Sequence, residues 1–90
     1  MLGEETIPKL APGVRFRFDK VRSTWVLLAP ERVFQPDEIA VEILKLIDGH
    51  RTLGNITDTL VAQFQAPRAL ISADVAAMLQ DLNDRGALQL

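Results

Sequence analysis

Apolar and polar residues alternate twice near the start of the chain and then settle into a helical period. Val14, Phe16 and Phe18 fall on one face of an extended segment and Arg15, Arg17 and Asp19 on the other, the two-residue period of a half-buried strand. Lys20-Val21-Arg22-Ser23 returns the chain. The next segment, Trp25 to Ala29, is apolar on both faces and predicts the central strand of a sheet. Pro30 lacks a backbone donor and forces a corner, which leaves Arg32-Val33-Phe34-Gln35 as a short third strand at one edge of an antiparallel meander.

From Pro36 onward the period becomes helical. Pro36 suits the first turn of a helix, and Asp37 and Glu38 complement its positive end. Ile39, Ala40, Ile43, Leu44 and Ile47 then share a face, with Gly49 placed to end the helix in a left-handed conformation. Thr52 is the expected N-cap of a second helix carrying Leu53, Ile56, Leu60, Val61 and Phe64. After the break at Gln65-Ala66-Pro67, a third helix carries Ile71, Val75, Met78, Leu79 and Leu82 and stops at Gly86, leaving Ala87 to Leu90 to fold back on the core. The order predicts an α+β, winged-helix-like fold, a three-stranded antiparallel sheet followed by a three-helix unit. Residues 1–13 hold prolines and glycines without a period and are expected to form a flexible tail that orders only against the domain or a partner. Residues 14–90 are expected to form a single winged-helix-like domain.

Composition narrows the function. Ninety residues, 48% of them apolar, support one modest core and no deep substrate cavity besides. With no cysteine there is no disulfide, thiolate site or cysteine nucleophile. The longest apolar run is too short to span a bilayer, and the amino terminus lacks the layout of a signal peptide, so a soluble cytoplasmic protein is expected, with no membrane partner. His50 is the only histidine and no motif places a second group beside it; the acids Asp74, Asp81 and Asp84 follow no cation-loop spacing. No catalytic residue, metal or cofactor is expected, and the chain reads as a binder.

Two surfaces could bind. The third helix could act as a DNA recognition helix, the alternative function of a winged-helix-like protein, but Asp74, Asp81 and Asp84 along it would repel phosphate, so no nucleic-acid partner is expected. The free edge of the third strand can instead accept an extended peptide as a further strand. Charge is unevenly spread: from Lys9 to Gln35 six basic residues face two acids, and from Pro36 on four face eight, so a partner docking on the sheet half is more easily acidic.

Three stretches carry a resemblance. Leu27-Leu28-Ala29-Pro30-Glu31-Arg32-Val33, then Ile43-Leu44-Lys45-Leu46-Ile47-Asp48-Gly49 with Arg51-Thr52, and Asp74-Val75-Ala76-Ala77-Met78-Leu79 before Leu82, resemble in this order and spacing the PqqD family of pyrroloquinoline quinone biosynthesis. The similarity runs from about Pro8 to Leu90. At the entry to the first helix Gln35-Pro36 stands where that family has a small polar cap. The resemblance implies a peptide chaperone, a precursor-peptide recognition element, and the chain is expected to be a monomer. Such a protein binds the ribosomal precursor PqqA by strand addition and presents it to the radical S-adenosylmethionine enzyme PqqE. It further implies that the peptide lies along Arg32, Val33, Phe34 and Gln35 in a groove walled by Ile71, Asp74, Val75 and Met78.

Overall fold

A computed structural model describes residues 3–90, in which strands Lys9–Leu10 (β1), Arg15–Asp19 (β2), Thr24–Ala29 (β3) and Arg32–Phe34 (β4) precede the helices. Helices Glu38–Leu44 (α1), Leu53–Phe64 (α2) and Arg68–Asp84 (α3) follow, and Leu88–Gln89 (β5) closes the chain. β2, β3 and β4 form the antiparallel meander in that order, with β3 central and β4 at one edge. Alternation puts Phe16, Leu27 and Phe34 on one face, and Leu27, fully buried there, meets Ile43 and Leu44 of α1, Ile56 and Leu60 of α2, and Val75 and Leu79 of α3 in a single core. Phe18 lies beyond that core and is 43% exposed, packing edge-on against Trp25 at 5.6 Å.

The amino-terminal segment, expected as a tail, docks on the domain in the described part; Met1 and Leu2 lie outside the described residues. β1 pairs with β5, Pro8 is buried, and the carbonyls of Thr6 and Glu4 accept the N–H groups of Leu53 and Gly54. These are the free donors of the first turn of α2, which the tail satisfies from outside the helix. Gly54 permits the approach, because a Cβ there would meet the Glu4 side chain at 3.0 Å and its backbone oxygen at 3.3 Å. Arg68 at the start of α3 reaches both Glu4 and Asp58, and these two carboxylates raise its pKa above the ordinary arginine value.

Helix α1 departs from the expected bounds at both ends. Pro36 precedes the helix instead of opening it, and Asp37 supplies the small polar cap, its carboxylate accepting the Ala40 N–H at 2.8 Å. The helix ends at Leu44 and tightens through Leu46 and Ile47, whose N–H groups reach the carbonyls three residues back. Gly49 does adopt a left-handed φ of 82°, but in a separate turn held by Asp48, whose carboxylate accepts from Arg51 and His50 N–H at 2.9 Å each. Those two bonds, Arg51 first, hold the Asp48 carboxyl below the usual aspartate value. The short helix also turns Ile39 outward, 60% exposed, although its spacing placed it with the core residues. Thr52 caps α2 through the Asn55 N–H as expected, and among the described residues no helix is long and apolar enough to cross a membrane.

Candidate functional site

The hairpin register decides which backbone groups β4 offers. Ala29 pairs with Arg32 across the two-residue turn Pro30-Glu31, and such a closing pair exchanges both of its N–H···O=C bonds. Alternation then makes Leu28–Val33 a non-bonded pair and Leu27–Phe34 a bonded one. The N–H and C=O of Val33 therefore point away from the sheet, while those of Arg32 and Phe34 are used inside it. The strand ends at Phe34 because Pro36 has no N–H and restricts the residue before it, so Gln35 lies just past the ladder.

Beside this edge runs a groove of about 350 Å³ between β4, α1 and α3. Phe34, Met78 and Leu82 form its apolar part beside the core residues Leu27 and Leu44, and Asp37, Asp81 and Arg85 stand at its rim with Gln35. The rim charges are already engaged: Asp37 caps α1, and Asp81 pairs with Arg85 at 3.2 Å. The guanidinium of Arg32 lies 5.8 Å from the centroid of the Phe34 ring, a cation over an aromatic face. An extended chain added at Val33 thus finds one rung of backbone partners and, next to it, a trough of mixed apolar and polar lining. One rung is worth roughly 1–3 kcal/mol from its two bonds, so binding at this site depends on side chains entering the trough.

The expected wall residues divide among three places. Met78 lines the groove with Val33, Phe34 and Gln35. Val75, one turn earlier on α3, is 1% exposed and belongs to the core, with no surface to offer a peptide. Ile71 and Asp74 line a separate, smaller depression of about 210 Å³ with Ile39, Ile43, Leu60 and Phe64, between the three helices. Groove residues absent from the expected set include Asp37 and Leu44 near α1 and Asp81, Leu82 and Arg85 on and after α3. For two of them the signal was present in the spacing, since Leu82 and Arg85 continue the Met78 stripe at helical intervals of four and seven. What selects the lower half of the stripe is the packing of α1, α2 and the sheet edge against α3, a tertiary quantity.

Asp74, Asp81 and Asp84 are all exposed on α3, the arrangement that opposes duplex DNA along this helix. His50 is exposed, and among the described residues no three His, Asp, Glu or Cys side chains gather as a metal site would need.

Residues 24–88 match the family model described as Coenzyme PQQ synthesis protein D (PqqD). A "PqqA binding protein" of Rhodopseudomonas palustris (strain HaA2) is 54% identical over 87 residues, covering 97% of this chain and 85% of that protein. A "Bifunctional coenzyme PQQ synthesis protein C/D" of Methylorubrum extorquens (strain AM1) is 46% identical over 83 residues, 92% of this chain but 22% of that longer protein. The solution structure of the PqqD truncation of Methylobacterium extorquens PqqCD, a functional stand-alone RiPP recognition element, superposes with a TM-score of 0.83 at 42% identity, covering 100% of this chain and 96% of that one.

Proposed function

Because the chain belongs to the PqqD family, we propose that it binds the precursor peptide PqqA as a strand added to β4 and delivers it to PqqE in pyrroloquinoline quinone biosynthesis, acting in the cytoplasm as a monomer and without catalysis. The observation that carries this reading is the juxtaposition at β4: an unused N–H and C=O on Val33 directly beside a groove in which Phe34, Met78 and Leu82 stand with Gln35, Asp81 and Arg85. The backbone rung fixes direction and register, and the groove supplies side-chain recognition, which is the division of labour in strand addition. The name of the R. palustris relative, and the recognition-element activity of the truncated M. extorquens relative, support PqqA as the peptide. The fused C/D relative supports work alongside other enzymes of the same pathway.

An NMR titration of the labelled chain with PqqA tests the site and the partner together. The Val33 amide is expected to move strongly downfield on bonding, with the Met78 methyl shifting in step. Saturable shifts confined to other surfaces would overturn the site, and no shifts at all would overturn the function.

A further inference from the structure

The sheet has two faces, and the fold uses one of them. Pairing places Arg15, Leu28 and Val33 in one row across the outer face and Arg17 and Val26 in the next. All three helices send their buried residues to the cluster around Leu27 on the opposite face. Val26 is only 3% exposed yet stands outside that cluster, so its cover comes from side chains of the outer face itself. Arginine stems can provide such cover while their guanidinium groups stay in water. In the neighbouring row Val33 is 55% exposed, and Val21 in the turn after β2 is 95% exposed.

The charges around this apolar centre are mainly cationic, with Asp19 as the one acid that β2 adds to the face. Among the described residues Arg15, Arg17 and Lys20 form no ion pair with a carboxylate. Asp19, the acid of β2, is occupied: it accepts the N–H groups of Val21 and Arg22 and pairs with the Arg22 guanidinium at 3.8 Å. An apolar centre within a cationic rim is the complement of an acidic protein surface with an apolar middle. Phosphate backbones match it less well, because they would meet Leu28, Val33 and Val21 with nothing to offer them.

We propose that the outer face of the β2–β3–β4 sheet is a second interaction surface, which docks a folded protein through a carboxylate-rimmed apolar patch. We further propose that this protein is the enzyme that modifies the bound peptide. The identity of the enzyme rests on the peptide-binding reading above. The adjacency does not: Val33 presents its backbone to the β4 edge and its side chain to the outer face, so a protein seated there lies against whatever is added at the edge. The peptide groove and the docking face thus share one residue and otherwise lie on opposite sides of the sheet.

The test uses the full chain with Arg15→Glu and Arg17→Glu combined, its fold checked by amide NMR, in parallel titrations with PqqE alone and with PqqA alone. Affinity for PqqE is expected to fall about tenfold or more, and in the parent to weaken as salt is raised, while the PqqA Kd stays within about twofold. Lys20→Glu, in a turn outside the ladder, is expected to lose affinity for PqqE in the same direction and keeps the test valid if the double reversal disturbs β2. Unchanged PqqE affinity in both variants overturns the proposal. A parallel loss of PqqA affinity overturns it as well, assigning the arginines to the peptide. So does parent binding to duplex DNA that the same reversals abolish. Arginine-dependent binding of PqqE by a parent that ignores PqqA upholds the docking face and refutes the peptide reading, so the two fail separately.

Discussion

Proline at position 33 removes an N–H that the fold leaves unused, whereas proline at position 34 removes one that holds the hairpin together. In Val33→Pro every internal rung of β4 survives, and Arg32 before it is already extended, as a residue preceding proline prefers. Stability should stay within about 1 kcal/mol of the parent, since the lost side chain is more than half exposed. Peptide binding loses one backbone bond, roughly 0.5–1.5 kcal/mol, or about a 2- to 13-fold rise in Kd for PqqA, before any steric cost of the ring. Phe34→Pro leaves the Leu27 carbonyl without its donor at a residue with no solvent access, and deletes a half-buried aromatic ring from the core edge. Those two losses together are on the order of 3–6 kcal/mol, comparable to the whole stability of a small domain. Chemical denaturation and PqqA titration on both variants check this. Native PqqA affinity in Val33→Pro, or unfolding of Val33→Pro while Phe34→Pro remains folded, would falsify the assigned rung.

Further expectations concern the helices and turns. Met78→Ala should weaken PqqA by about 1–2 kcal/mol in calorimetry through lost groove contact, whereas Val75→Ala should lower the unfolding free energy by about 2 kcal/mol and leave the Kd of the folded protein unchanged; the reverse pattern would exchange their roles. Gly54→Ala should displace residues 4–6, seen as faster hydrogen exchange of the backbone amides at positions 53 and 54, and unchanged protection would refute the close approach. The Asp48 carboxyl should titrate below the ordinary ~3.9 in NMR. Because its folded value is depressed, its contribution to stability is present above the ordinary value and lost as pH falls through the folded one, so Asp48→Asn should flatten the stability profile below about pH 4 and not above it.

Much of the fold was legible along the chain because it depends on local chemistry. The period-two run at Val14 to Asp19, the doubly apolar Trp25 to Ala29, the corner at Pro30 and the Thr52 cap each specify an element through groups within a few residues of one another. The position of β3 between β2 and β4 followed as well, from the apolar residues it carries on both faces where β2 alternates with charge. Asp37 shows where local reading failed: Pro36 and Asp37 both suit a helix start, and the choice of Asp37 as cap follows from an extended β4 running up to Pro36.

Tertiary structure decided the rest. The amino-terminal segment has no period because its order comes from the free donors of α2 and from the β5 strand, elements more than forty residues away. Likewise the helical stripe from Ile71 to Arg85 is continuous in sequence, but the packing of α1, α2 and the sheet edge against α3 sends Val75 to the core, Met78 and Leu82 beside β4, and Ile71 to a depression shared with α1 and α2. Sequence spacing defines which side chains share a face of a helix. Which part of that face is buried, free or beside an open strand edge depends on how separate elements pack, and no local pattern encodes that packing.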